Sequence, residues 1–374
     1  MLRIIGLMSG TSLDGVDAAW VETDGEAVAR IGPARTIPYD AGLRRDLRTL
    51  LDRAAGRGMD DPLLLDCTAR LTARHAEAVL ALAEDVAAAG LPPASLLGFH
   101  GQTILHRPRR AGDDPAIQGR TWQIGDAAAL ARATGCHVAH DFRTADVAAG
   151  GQGAPLVPVA HAALAQGLAR PLAVLNLGGV GNVSWLGPEG ALAAFDTGPA
   201  NGPLDDWVRR RTGQGHDMDG RLAASGRVDA AMLATLLAHP ILATPPPRSL
   251  DRLDFDAALR EAGLERLSTA DGAATLVAFA AGCVAAASRH FPGVPRRWLV
   301  GGGGRRNPAL MQALTDALAE PVQPVEAVGW DGDALEAQCF AVLAARCARG
   351  LPLTFPGTTG APHALAGGRI VSPP

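Results

Sequence analysis

An α/β chain of two domains is what this sequence predicts, and three observations predict it. The chain has 374 residues, more than one small hydrophobic core can use. The order apolar strand, Gly-rich turn, apolar strand occurs at 6–17 (GLMSGTSLDGVD) with its flanks and again at 173–186 (AVLNLGGVGNVSWL), so each half opens on the same kind of hairpin. Between these hairpins, helical spacing of apolar residues recurs.

Hydrophobic residues make up 48% and charged residues 19% of the chain, the balance of a folded globular protein. A net charge of −4 leaves no electrostatic footprint for nucleic acid or an acidic membrane surface. Met1-Leu2-Arg3 leads straight into a strand pattern with no charged leader or cleavage site. The most apolar window, 273–288, is Ala-rich, too short and too weakly hydrophobic to span a bilayer, and is expected to be a buried helix. The five cysteines (67, 136, 283, 339 and 347) form no C-x-x-C pair, which suits thiols in a reducing cytoplasm better than disulfides or a zinc site. No lysine occurs, and all 34 basic residues are arginine. A Walker A loop, the third-strand lysine of protein kinases and Schiff-base chemistry are thereby excluded. Nucleotide phosphates, if bound, must be held by backbone N–H groups, hydroxyls, arginine and Mg²⁺.

Taken in order, 2–7 and 16–21 are strands around the first turn, and 26–38 is a third strand at the sheet edge. Leu43, Leu47, Leu50 and Leu51 recur at helical spacing, and 62–90 is a longer amphipathic helix closed by Gly90. A buried strand at 96–99 empties into HGQTILH (100–106), and a Pro/Asp/Gly-rich loop (108–119) leads to a strand at 122–124. Asp126 caps a helix that ends at Gly135, and the strand 136–139 delivers His140-Asp141-Phe142-Arg143 to a loop end. Gly150, Gly151 and Gly153 break any helix, so 146–158 is expected to cross between domains, with a hinge near 150–153 and a helix at 156–168 behind it. In the second half a strand at 192–195 ends at Asp196-Thr197-Gly198-Pro199. Helices are expected at 205–212, 230–239, 270–290 and 333–349, with Pro-rich 244–248 a surface insertion. The strand 297–300 runs into four glycines, a turn that lets a phosphate or a flat ring approach the backbone but lacks G-x-G-x-x-G spacing. The expected domains are 1–140 with 350–374, and 141–349.

In the first turn, Gly10 and Gly15 remove Cβ atoms so that N–H groups can close on an anion, and Ser9, Thr11 and Ser12 add donors. Asp14 and Asp17 stand where they can hold Mg²⁺ through water. The same stretch reads equally as an ordinary Gly-Ser β-turn. Asp196 is either a base for water at a strand end or the cap of the turn behind it. A metal site on His100, His106, His137 and His140 is the weaker idea, because a strand points His137 and His140 to opposite faces; His100 is expected to pack or hydrogen-bond.

Together, GLMSGTSLDGVD (6–17), GFHGQTILH (98–106), DFRTADVAAGGQGAPLVP (141–158), NLGGVGNVS (176–184), FDTGPAN (195–201), GGGGRRN (301–307) and Glu336 with Phe340 cover nearly the whole chain in order. This set resembles the anhydro-N-acetylmuramic acid kinases of the actin, sugar-kinase and Hsp70 ATPase superfamily. The resemblance implies two ribonuclease-H-like domains with ATP and Mg²⁺ in the cleft between them. It also implies a double reaction. Water opens the 1,6-anhydro bond of the amino sugar while the γ-phosphoryl group of ATP passes to O6, giving N-acetylmuramic acid 6-phosphate in the reuse of cell-wall fragments.

By the same resemblance Asp196 is the catalytic base. ATP falls to Ser9, Gly10, Thr11, Ser12, Leu13, Asp14, Gly15 and Val16, to Asn176, Gly178, Gly179 and Asn182, and to Gly302, Gly303 and Asn307. Thr103, Arg143, Asp146 and Glu336 match substrate-facing positions. Arg143 either meets the sugar's lactyl carboxylate or is taken by Asp141 or Asp146, and Glu336 either faces substrate or complements its helix dipole. A homodimer is implied by the family alone. Ala145 stands where some relatives carry a second arginine, and Gly181 and Gly202-Pro203 replace larger residues. The rivals are a non-enzymatic actin-like or chaperone-like ATPase, which shares the hairpins, and a kinase for another amino sugar. The polar set Thr103, Arg143, Asp146 and Asp196 argues against the first.

Overall fold

Residues 1–10, 12–109, 118–248, 250 and 254–374 are described in the computed structural model. Among them, strands in chain order are β1 (Leu2–Ser9), β2 (Gly15–Thr23), β3 (Val28–Pro38), β4 (Leu96–Arg107), β5 (Arg120–Ile124) and β6 (His137–His140). Then follow β7 (Leu172–Leu177), β8 (Val180–Leu186), β9 (Leu192–Pro199), β10 (Trp298–Gly301), β11 (Val322–Pro324) and β12 (Arg369–Val371).

The chain divides into unit 1, Met1–Gly167 with Ala334–Pro374, and unit 2, Leu168–Asp333. In unit 1 the sheet order is β12-β6-β4-β1-β2-β3, with β5 on β4. β1, β2 and β3 form an antiparallel meander, while β4 runs parallel to β1 and β6 parallel to β4. Unit 2 repeats the plan as β11-β10-β7-β8-β9, a meander of β7, β8 and β9 with β10 and β11 added in parallel. Short hairpins can join antiparallel neighbours, whereas parallel ones need a crossover, which helices supply here. Two sheets with the order 3-2-1-4-5 are the ribonuclease-H-like architecture expected of each half.

Both domain boundaries differ from the expected ones. Helix Leu335–Ala348 was expected in the second domain, but it lies on the unit-1 sheet. A Cβ at Gly6 in β1 would collide with Ala337 O, and one at Gly98 in β4 with Phe340 O. Backbone meets backbone there because both strand positions lack a side chain. The expected crossing at 146–158 also stays inside unit 1. Its glycines wrap around Asp146, with Gly151 N–H donating to Asp146 O at 2.9 Å and Gly153 N–H to Asp146 Oδ2 at 2.6 Å.

Other elements run longer or shorter than their patterns. β4 continues through the whole HGQTILH stretch, with a register shift against β5. A short helix, Thr144–Ala148, precedes the glycines, and the next helix is only Pro158–Leu164. The helix Ala127–Thr134 has its predicted caps, Asp126 accepting from Ala129 N–H and Gly135 in the left-handed region. Thr269–His290 is long and apolar enough to cross a membrane, yet 67% of its most apolar window is buried within the structure. Its helix, Thr269–Ala287, is the central core element of unit 2, packed with Trp207, Phe255 and Phe195. β9 runs through to Pro199, so Asp196 lies inside a strand and not at its end.

Candidate active site

Polar side chains with chemical potential gather in each unit, and each set follows from the sheet beneath it. In unit 1 the turn between β1 and β2 closes with Leu13 N–H donating to Gly10 O at 3.2 Å. Leu13 adopts φ 60° and is 0% exposed, and Val16 is equally buried, so both anchor the turn in the core and offer a ligand only backbone. Gly15 is needed for another reason, since a Cβ there would collide with Ile37 O of β3. Ser9 is buried and donates its hydroxyl to Gln102 Oε1 at 2.6 Å. Gly10, Ser12 and Asp14 remain accessible at the tip, and Thr11 lies outside the described residues.

Asp14 is 70% exposed and takes Arg44 at 3.1 Å, so its carboxylate is directed away to a surface ion pair. Asp17 accepts Thr36 Oγ1 at 2.6 Å and acts electrostatically on Glu336, in the first turn of helix Leu335–Ala348. Burial, and then the Asp17 charge, raise the Glu336 carboxyl above its ordinary value, while Arg143 pulls it down. Asp17 and Glu336 are both half-buried oxygen donors, the kind a hydrated Mg²⁺ takes, since it uses few carboxylates and keeps much of its water. Among the described residues no group of three or more His, Cys, Asp or Glu forms a denser metal cage. The four-histidine metal reading therefore has no geometry behind it.

Arg143 is held by uncharged partners. Its Nε and Nη2 lie 3.2 and 3.0 Å from His100 Nε2, and Nη1 donates to Gly153 O at 2.7 Å. His100 Nδ1 sits 2.7 Å from Gly101 O, so Nδ1 carries the proton and Nε2 is the acceptor. Burial, and then Arg143, hold the imidazole well below its usual proton affinity. Burial also lowers Arg143 to about 10, against the attraction of Glu336 and Asp146. Asp141 pairs instead with Arg369 at 3.2 Å. Among the described residues Arg143 has no ion pair, which leaves its charge available to an anion.

Asp146 does not face a ligand. It is 2% exposed, and its two oxygens accept Gly153 N–H and, at 2.7 Å, Thr359 Oγ1. It fastens the loop that presents Gly153 O to Arg143. Thr103 Oγ1 accepts Gln123 Nε2 at 3.1 Å, in a chain that continues through Thr121 to His106.

In unit 2 the strand register makes the site. Asn176 of β7 stands opposite Asn182 of β8, and Asn182 opposite Asp196 of β9. Gly301 of β10 flanks Asn176 on the other side. Cross-strand neighbours project to one face, so a half-buried polar row runs across the sheet from Asp196 to the Gly-rich turn. A Cβ at Gly302 (φ 73°) would strike Asn176 Oδ1, so only glycine lets that turn meet the row. Gly178 and Gly179 form the β7–β8 turn, and their carbonyls accept N–H groups of Ala200, Asn201 and Gly202. Gly303 remains open beside Asn201. Asn307 is spent differently. Its Oδ1 caps helix Pro308–Ala317, accepting Ala309 and Leu310 N–H at 3.0 and 3.2 Å, so the side chain shapes the end of the turn.

Asp196 is gripped by a segment the sequence reading left on the surface. Asp196 N–H donates to Arg248 O at 3.0 Å, and Leu250 N–H donates to Asp196 Oδ2 at 2.8 Å. Arg248, 6% exposed, donates Nε to Asp196 O and Nη1 to the carbonyls of Ile241, Leu242 and Thr244. Its guanidinium lies 5.4 Å from the Phe195 ring centre. A register shift between Gly181 and Asn182 on β8 accompanies this stretch of β9, a bulge of the kind that re-aims a side chain. No residue spacing announced Arg248; the only trace is a lone arginine closing a Pro-rich run.

The chain is similar to known proteins over its full length. The sequence profile of the family described as anhydro-N-acetylmuramic acid kinase matches residues 2–373. A protein of Acidiphilium cryptum named anhydro-N-acetylmuramic acid kinase is 59% identical over 372 residues, covering 100% of this chain and 99% of that one. Proteins with the same name from Rhodospirillum rubrum and Paramagnetospirillum magneticum are 56% and 53% identical, covering 97% and 98% of this chain and 92% and 98% of their own. With both sheets, the two Gly-rich hairpins and the Asp196 row in place, the chain belongs to the anhydro-N-acetylmuramic acid kinase family.

Proposed function

We propose that this chain uses ATP to open 1,6-anhydro-N-acetylmuramic acid with water and to phosphorylate O6, releasing N-acetylmuramic acid 6-phosphate and ADP. The observation that carries the reading is the row Asp196–Asn182–Asn176, which sets one carboxylate and a Gly-rich turn on the same face of one sheet. Asp196 takes a proton from water as the water oxygen bonds to the anomeric carbon. The C1–O6 bond breaks, and its electron pair stays on O6. That alkoxide attacks the γ-phosphorus, and the bond to the β-phosphate oxygen breaks to release ADP. No second base is required, since ring opening itself creates the nucleophile. Phosphoryl transfer then asks for alignment and charge neutralisation.

The rest of the machinery is assigned by chemistry. Gly10 and Ser12 in the first turn and Gly178, Gly179, Gly302 and Gly303 in unit 2 offer backbone N–H groups and close approach for the nucleotide. Asp17 with Glu336 would hold Mg²⁺, which when bound neutralises charge on the phosphates. Arg143, its charge unspent on any carboxylate among the described residues, takes the lactyl carboxylate, with Thr103 a second contact to the sugar.

The test is ADP release measured across anhydro and ordinary amino sugars, with the anhydro substrate repeated in ¹⁸O water. Label is expected at C1 of the sugar product and absent from its phosphate. Label in free phosphate, or ADP release indifferent to sugar, would leave only an ATPase.

A further inference from the structure

Asp205 has no role in the reaction above, yet it lies one helical turn from a residue that touches the Gly-rich turn 302–307. It lies in helix Asn201–Thr212, one turn after Asn201, and positions four apart share a helix face. Asn201 is pinned to the Gly-rich turn. Its Nδ2 donates to Leu177 O at 2.8 Å, and a Cβ at Gly304 would sit 3.1 Å from its amide. On its other side Asp205 interacts electrostatically with His216 and Asp217. Asp217 caps the next short helix, accepting Leu222 and Ala223 N–H at 2.8 and 3.0 Å. Three residues on, Gly220 (φ 66°) is pressed so close to Asn307 that a Cβ would collide with Asn307 Oδ1. Asp205 is thus bracketed between Asn201, which touches the start of the turn 302–307, and the 217–220 segment, which touches its end.

The carboxylate is half-buried, and among the described residues it has neither a hydrogen-bond nor an ion-pair partner. Arg209, four residues on, is paired with Asp206 at 2.7 Å. Burial raises the Asp205 carboxyl to about 6; His216 and Arg209 lower it, and Asp206 and Asp217 raise it further. A desolvated acceptor left without a donor is costly unless a ligand supplies one.

We infer that Asp205 accepts hydrogen bonds from the ribose hydroxyls of the bound nucleotide. A vicinal diol offers two O–H donors to the two oxygens of one carboxylate, the pairing by which acidic side chains hold ribose elsewhere. The adenine-bearing end of the nucleotide then lies over the turn 302–307, and its phosphates lie toward Gly178 and Gly179. The inference rests on the nucleotide reading of that turn but not on the sugar chemistry.

Calorimetry with ADP and 2′,3′-dideoxy-ADP, without any sugar, separates the two. The wild-type chain is expected to bind ADP about tenfold more tightly than the dideoxy form, the scale of a hydrogen bond to a charged group. Asp205→Ala is expected to lose that preference by weakening ADP alone, and Asp205→Asn to keep part of it. Equal affinities in the wild-type chain, or an undiminished preference in Asp205→Ala, overturn the assignment. The wild-type comparison stands even if the alanine variant does not fold. Absence of any ADP binding by the wild-type chain overturns the nucleotide reading itself, and this inference with it.

Discussion

Arg143 in unit 1 is half-buried and Arg248 in unit 2 is buried, and among the described residues neither forms an ion pair. They belong to units whose sheets share one strand order, but they use their protons in opposite ways. Arg248 donates Nε and Nη1 to four backbone carbonyls, while its buried Nη2 has no partner among the described residues; most of its fork is spent on scaffold, and what it presents to chemistry is the orientation of Asp196. Arg143 leans on one neutral imidazole and one carbonyl, and keeps its charge for a ligand. A cation set among uncharged acceptors is therefore not one kind of feature. The identity of its acceptors decides whether it builds or binds.

The contrast can be broken at its centre. Asp196→Asn keeps the shape of the gripped side chain and cannot accept the proton, so turnover should fall by about 10²–10⁴-fold while ADP still binds. Stopped assays with calorimetry on the same preparation check both halves, and turnover within a few-fold of wild type would remove the base from Asp196.

Acid should separate the units. Burial lowers His75 and His106 to about 4 and His161 to about 3, and all three belong to unit 1, as does His100. An unfolded histidine takes its proton near 6.5, whereas these folded ones refuse it until far lower. Their stabilisation is complete above about pH 6.5 and is lost as pH falls toward 4, about 3 kcal/mol for His75 alone. Hydrogen exchange between pH 7 and 5 should show unit 1 losing protection ahead of unit 2. Equal losses would mean that other groups dominate.

Arg143→Gln removes the charge and keeps a donor. KM for the anionic anhydro sugar is expected to rise about 10–100-fold with KM for ATP unmoved, the range for a hydrogen bond between charged groups. A matching rise for a neutral amino sugar would show that Arg143 only shapes the loop. The smallest effect belongs to Arg248→Lys, because an ammonium keeps the charge but not the planar fork. A few-fold loss in kcat with both KM values unchanged is expected, and a change confined to KM would place Arg248 outside the positioning of Asp196.

Much of this was legible in the residues. Gly-rich turns between apolar runs give both hairpins, and the Asp126 and Gly135 caps bound their helix as composition demands. Other features depend on partners far away in sequence. Asp146 reads as a polar loop residue, and only Thr359, 213 positions later, makes it a buried fastening. Helix Leu335–Ala348 shows apolar periodicity but not which sheet it lies on; the clue was the pair Gly6 and Gly98, which only tertiary contact explains. Asp196 was placed at a strand end because Thr-Gly-Pro suits a turn, yet pairing with β8 carries the strand on to Pro199. Arg248 was invisible because its acceptors are carbonyls, and backbone acceptors leave no mark in side-chain identity.

Unit 1 is discontinuous in the chain, since its sheet is completed by β12 and covered by helix Leu335–Ala348, whereas unit 2 is one uninterrupted span. During synthesis the ribosome therefore delivers every residue of the inner span before the outer one has its last strand. Leu168–Asp333 is then the part that settles first, and residues 1–167 wait for the carboxyl end to emerge. Chains truncated after residue 333 and released should protect the inner span from protease and leave the earlier-made portion open to cleavage.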